Sequence, residues 1–342
     1  MDQNETRWRK ILLSGGAFIG AAAAYNAFAR KGIDKLTNLI GGEEGGFEWR
    51  GRRIAFTKRG SGPAILLIHG IHAAAWSYEW HDNVDYLARG NTVYTIDLLG
   101  FGRSDRPAIR YSARLYISLI SDFVHQVVNE PCVLVASSLS GAYAIVLAAR
   151  DPQRFPALAL IAPTGLIRLN KPAGVSNEAG RLAVEAPIVG TAMFNGLVSK
   201  RSIRHYLEKT YADDSIVTDD LVDIYYWTSH QRGARHAPAA FISGQLNIDV
   251  RHAMRRLTQP ALLVWGEEGS AAPIEEYRGF RALKPEIELT VLTPAGDLPH
   301  DERPDDFNVI LSTWLTRLSL SSAPTPATLP GTPEVSRPTS QL

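Results

Sequence analysis

Ser138 follows the apolar run Val133-Leu-Val-Ala-Ser137 and opens the stretch Ser138-Leu-Ser-Gly-Ala142, which leads into a helical pattern. Strand, sharp turn and helix in that order make a nucleophile elbow, which lifts a serine hydroxyl out of the backbone toward a substrate. The chemistry this points to is acyl transfer through a covalent intermediate. A serine hydroxyl is a weak nucleophile and needs an adjacent base, most often histidine. His230, His236 and His252 lie in one later stretch, and any of them can serve, because such partners are defined by geometry and not by chain order. Taken singly, each reads more simply as a hydrogen-bonded surface or packing histidine. His69 and His72 follow another apolar run. His69 orders the loop after it, and His72 is placed to touch a substrate. With Trp76 and Tyr226 they are the candidates for a substrate pocket that takes an apolar acyl or ring-bearing ligand. Packing of the aromatics Tyr78, Trp80, Tyr225 and Trp227 around them explains the same residues equally well.

Other chemistries find less support. No His/Cys set has metal-ligand spacing, so no metal and no cofactor is expected. No Gly-x-x-x-x-Gly-Lys phosphate loop occurs. Gly41-Gly42 and Gly45-Gly46 read as hinge material. Lys+Arg number 36 against 35 Asp+Glu, which leaves no basic excess for nucleic acid. The single cysteine, Cys132, rules out an intramolecular disulfide and lies in a strand pattern, where inert packing is its role.

The elements that must position Ser138 are legible as short continuous apolar runs. Residues 64–68, 91–98, 131–136, 157–162, 261–265 and 287–292 read as strands buried on both faces. Residues 47–58 read as a hairpin turning at Arg50-Gly51-Arg52. Helical patterns separate the runs, including 111–128 and 139–150, so the sheet is mostly parallel and covered on both faces. From 166 to 256 no strand run appears, and 202–231 looks helical. An insertion of that size forms a cap over the carboxyl ends of the strands, where ligands bind in open α/β sheets. At the start of the chain, residues 11–29 are uncharged and lie between Arg7, Arg9, Lys10 and Arg30, Lys31. This length reaches the lower range of a membrane span, and Gly16 and Gly20 make a small face for a second helix. An uncleaved anchor is the leading reading, with the cytoplasmic side favoured. A cleaved signal peptide with export and a helix that only packs on the protein are the alternatives. The tail from 320 to 342 is rich in Pro, Ser and Thr and is expected to be disordered.

His69-Gly70 after one strand, Asp97-Leu-Leu-Gly-Phe-Gly-Arg-Ser104 after the next, the elbow at Ser138, then Trp265-Gly266 and Glu302-Arg303-Pro304 follow one another as they do in the α/β-hydrolases. The chain resembles that family over about residues 47–319. The resemblance implies an eight-stranded, mostly parallel sheet with helices on both faces. It implies a core of 47–165 and 257–319, a helical cap of 166–256, and an N-terminal segment of 1–46 outside the core. It also implies Ser138 as nucleophile, with the backbone amides of Ile71 and Leu139 as the oxyanion hole. Ala136 and Ser140 stand where the pattern has glycine, and both are small enough for the turn. The acid and the histidine of the pattern are replaced by Gly269 and Asp297. His300, three residues on, is the default substitute base. Its bland reading is a polar cap of the following segment. Asp297 can accept a proton itself, although an ordinary aspartate is a feeble base for serine, and its bland reading is a solvated loop carboxylate. Glu267 and Glu268 read as exposed loop charges. The resulting expectation is a serine hydrolase of the carboxylic-ester type with non-standard acid and base, acting on an apolar ester or related acyl compound. The alternatives are a ligand- or partner-binding member that has lost hydrolysis, and a cofactor-free lyase or oxygenase using the same pocket.

Overall fold

The structure, a computed structural model, describes residues 3–171 and 174–322. Eight strands form one sheet: β1 (Glu43–Trp49), β2 (Arg52–Arg59), β3 (Ala64–Ile68), β4 (Thr92–Ile96), β5 (Cys132–Ser137), β6 (Leu158–Ile161), β7 (Ala261–Gly266) and β8 (Glu288–Leu292). Their spatial order is β1-β2-β4-β3-β5-β6-β7-β8, with the β1–β2 and β2–β4 pairs antiparallel and the other pairs parallel. Side chains alternate across a strand, and β3 shows the result. Leu66 and Ile68 enter one core with Phe123, Leu139 and Tyr143, while Ile65 and Leu67 enter the other with Trp80, Val84 and Trp314. Both faces are therefore apolar, which is why the strands read as continuous runs. Cys132 is fully buried, and burial pushes its thiol up, as suits a packing residue.

The helices are α1 (Gln3–Ala29), α2 (Val84–Leu87), α3 (Ala113–Phe123), α4 (Ser138–Arg150), α5 (Val175–Glu185), α6 (Val189–Leu197), α7 (Lys200–Thr210), α8 (Asp219–Ser229), α9 (His236–Ile242), α10 (Arg251–Arg256), α11 (Tyr277–Leu283), α12 (Pro299–Glu302) and α13 (Pro304–Ser322). The expected helical stretch at 202–231 is two helices, α7 and α8. Between them Asp213 and Thr218 side chains accept from the Ser215 and Leu221 amides and restart the chain. The cap has a core of its own, with Phe194, Ile203, Leu207, Leu221 and Tyr225 packed around Ala74 and Leu298 from the loops beneath. Its edge lies earlier than 256, because α10 buries Met254 in the main core beside α4 and α11.

Two more boundaries differ from the sequence reading. Gly45 and Gly46 are not a hinge; they belong to β1, where a Cβ on Gly45 would lie 2.1 Å from the Phe56 ring, so glycine permits the strand pair to close. The N-terminal segment therefore ends before Glu43. Helix α13 continues through Ser322, past the expected start of the tail, and residues 323–342 lie outside the described ones.

Helix α1 rests on α6. Asn26 donates to the Ile188 carbonyl at 2.8 Å and accepts from Asn195 at 3.0 Å. Gly16 and Gly20 meet no other side chain. Among the described residues no helix is long and apolar enough to cross a membrane.

Candidate active site

Strand β5 ends at Ser137 and α4 begins at Ser138, whose φ of +51° is the strained turn of an elbow. Small neighbours make the turn possible. Ala136 is hydrogen-bonded in the sheet between Ile68 and Leu160. A Cβ on Gly141 would lie 3.1 Å from Pro163. Ser140, in a position where glycine is usual, is fully buried and donates to the His69 carbonyl at 2.6 Å, which ties the elbow to the end of β3.

Above Ser138 lies a cavity of about 380 Å³ between cap and sheet. Its apolar wall includes Ile71, Leu169, Phe241 and Leu298, and its polar groups include Ser138, His72, Glu79, Tyr206 and Asp297. Ile71 faces this space, and among the described residues its N–H donates to no protein group. Leu139 follows Ser138 in the first turn of α4.

The base position is altered in space as well as in sequence. A Cβ on Gly269 would lie 3.0 Å from Asp297 Oδ1, so the two positions face each other as an acid and a base would. Asp297 is not a freely solvated carboxylate. It accepts from the Ala271 and Ala272 amides at 3.0 and 3.2 Å and from Ser270 Oγ at 3.3 Å. Both oxygens are thus drawn toward the 270–272 loop. Among the described residues Ser138 Oγ has no hydrogen-bond partner.

His300 does not line the cavity, and it does not cap the segment after it. The ring is fully buried against Trp80, with centroids 4.3 Å apart, and its Nε2 lies 3.1 Å from Glu79 Oε1. Glu79 lines the cavity instead, and its Oε2 accepts from the Gly70 amide at 2.8 Å. Burial is the largest single influence and opposes ionisation of Glu79, but the contact with His300 and the nearby His69 and His72 together hold the carboxyl below its ordinary value. Sequence reasoning missed this residue. The signal was an acidic side chain in Trp76-Ser-Tyr-Glu-Trp80, an otherwise aromatic stretch directly after the oxyanion turn.

The remaining candidates separate. His72 lines the cavity with its ring between Tyr206 and Tyr225, both 5.6 Å away. Its Nδ1 accepts from the Ala74 amide at 3.3 Å, and burial pushes its pKa down to about 4. A neutral ring with Nδ1 accepting carries its proton on Nε2, so His72 is a donor and not a base. His69 is not a pocket residue. Fully buried, it bridges Gly70 O at 2.6 Å and the Leu98 amide at 3.1 Å, and burial lowers its pKa despite nearby Asp97. Trp76 is also displaced from the site; it lines a separate cavity with Trp227 and residues 34–37. Tyr226 donates to the Ala29 carbonyl at 2.7 Å, at the end of α1 and away from Ser138. His230 lies under Tyr226, His236 beside Glu185 and His252 on the surface. Glu267 and Glu268 are exposed and hold Thr293 Oγ1 and the Ala295 amide. Among the described residues no cluster suits a metal ion.

Known proteins share this architecture. Residues 65–309 match the model of the Alpha/beta hydrolase family. An uncharacterised protein of Mycobacterium tuberculosis is 28% identical over 276 residues, covering 78% of this chain and 79% of its own length. The 2-hydroxy-6-oxononadienedioate/2-hydroxy-6-oxononatrienedioate hydrolase of Comamonas testosteroni is 26% identical, with 75% and 88% covered. Among solved structures, the meta-cleavage product hydrolase of Pseudomonas fluorescens superposes with a TM-score of 0.67 at 22% identity, covering 82% of this chain and all of that one. A membrane phospholipase A, a bacterial virulence factor, superposes with a TM-score of 0.65 at 22% identity and covers 94% of this chain and all of its own.

Proposed function

This chain belongs to the Alpha/beta hydrolase family, and from that premise we propose that it is a serine hydrolase acting on a small apolar ester or related acyl compound. The observation that carries the reading is Ser138 at φ +51°, bordering a mostly apolar cavity that Ile71 also lines. Attack by Oγ on an acyl carbon places the developing oxyanion against the Ile71 and Leu139 amides. The Nε2–H of His72 adds a neutral donor for a second polar atom of the substrate. Hydrolase relatives support the reaction class, and the apolar wall supports the substrate class. The test is turnover of short-chain p-nitrophenyl esters by the full chain and by Ser138→Ala. The reading requires turnover that the variant loses; equal rates in both would sink it.

A second reading, ligand binding without hydrolysis, is favoured by Asp297, whose oxygens are drawn to the 270–272 amides. Under that reading an apolar ester binds saturably and leaves unchanged.

Association with a membrane surface through α1 is also proposed. Phe18, Ile19 and Phe28 are exposed on α1, and Met193 and Leu197 are exposed on α6 next to it. The basic residues Arg7, Arg9 and Lys10 precede these side chains in the sequence. Co-sedimentation with phosphatidylglycerol vesicles should be lost when residues 1–40 are removed; retention by the truncated chain would exclude α1 as the contact.

A further inference from the structure

Ser138 needs a proton acceptor, and the cavity offers few. Tyr206 keeps its proton at neutral pH, as a phenol ordinarily does. His72 already uses Nδ1 as an acceptor and holds its proton on Nε2. Asp297 is turned to the 270–272 loop, and each of its oxygens accepts two hydrogen bonds there. Glu79 Oε2 accepts one, from the Gly70 amide, and keeps a lone pair. A Cβ built on Gly70 would lie 3.5 Å from Glu79 Oε2 and 3.6 Å from Ser138 Cβ. Gly70 thus stands beside both the carboxylate and the nucleophile, and Gly70, Glu79 and Ser138 line one cavity.

Resting on the serine-hydrolase reading above, we propose that Glu79, backed by the buried His300, is the general base for Ser138; a carboxylate is a feebler base than an imidazole, so the turnover it supports is slow. The pair inverts the usual order, since the carboxylate faces the serine and the imidazole stands behind it. The Ser138 O–H bond breaks and its proton passes to the Glu79 carboxylate. The freed electron pair bonds Oγ to the acyl carbon, and the carbonyl π pair moves to the oxygen at the Ile71 and Leu139 amides. When that pair returns, the bond to the leaving group breaks, and the leaving group takes the proton from Glu79. Water then attacks the acyl-enzyme, giving its proton to Glu79, and Ser138 recovers that proton as the acyl C–Oγ bond breaks.

The experiment measures the rate at which a fluorophosphonate labels the full chain. Glu79→Gln keeps the shape and an acceptor for the Gly70 amide but removes the base. Labelling should fall by about 100-fold or more, within the range a general base supplies, while circular dichroism and the melting temperature hold. Glu79→Ala should be equally slow and should regain rate as formate is added, which a purely structural role would not allow. The wild-type pH profile needs no variant. The groups facing Glu79 are His300, His69, His72, Asp301, Tyr206 and Tyr225. With a carboxylate as base, labelling stays level from about pH 8 to about pH 5, whereas a histidine base makes it fall through roughly pH 6.5. A fall between about pH 7.5 and 6, or full-rate labelling of Glu79→Gln, overturns the inference and leaves the serine-hydrolase reading standing. A wild-type chain that is never labelled overturns that reading itself.

Discussion

Glu302 fastens the cap to the loop that carries Asp297, and its loss is the most quantitative perturbation the fold offers. Its Oε1 accepts from the Ala212 and Asp213 amides, both at 2.8 Å, at the end of α7; its Oε2 accepts from the Gly296 amide at 2.6 Å. The residue is buried, so water does not replace these bonds. Glu302→Gln keeps the volume but leaves one oxygen. If that oxygen stays with Ala212 and Asp213, the amide NH2 confronts the Gly296 N–H. Two bonds then change from charge-assisted to neutral, each weakened by about 1 kcal/mol, and one donor is left unpaired at a cost of about 1–3 kcal/mol. A loss of about 3–5 kcal/mol follows. At roughly 2–4 °C per kcal/mol for a chain of this order, the melting temperature should drop by about 6–20 °C. Differential scanning calorimetry of both proteins at pH 7 reads this directly. A drop under about 2 °C would refute the assignment of Glu302 as the clasp between cap and sheet.

Two further outcomes follow from the same geometry. His72 and His230 are each held by burial at about 4, while an unfolded histidine takes its proton near roughly 6.5. Between those values the unfolded chain binds more protons, so stability must fall as pH drops from about 6.5 to about 4; urea melts across this window should show it, with a shallower slope in His230→Phe. Restoring the usual acid and base by Gly269→Asp with Asp297→His should label with a fluorophosphonate at least about 100-fold faster than Asp297→His alone, because an imidazole needs the acid to orient it. Equal rates would mean that positions 269 and 297 do not act together on Ser138.

The sheet was legible because each strand is buried on both faces. Residues 64–68 and 261–265 are unbroken apolar runs for that reason, and their bounds agree with β3 and β7 to within a residue. The elbow was legible because its turn demands small residues around Ser138. What the sequence could not show is which side chains meet across the fold. His300 and Glu79 are far apart in the chain, and only the packing of α12 against the turn after β3 brings them to 3.1 Å. Spacing along the chain therefore kept His300 as a candidate base and overlooked Glu79. Trp76 and Tyr226 were misplaced for a related reason. Aromatic residues beside an oxyanion turn and within a cap fit a pocket wall, but here they meet residues 32–39 and the end of α1, an N-terminal segment whose path over the cap has no periodic signature.

The central claim is that Ser138 is an activated nucleophile without a histidine at its side. Treating the folded full chain with a fluorophosphonate and mapping the adduct by mass spectrometry tests it most directly. The account predicts one adduct, on Ser138, absent from Ser138→Ala. A folded chain that binds an apolar ester but takes up no phosphonate at Ser138 would contradict it.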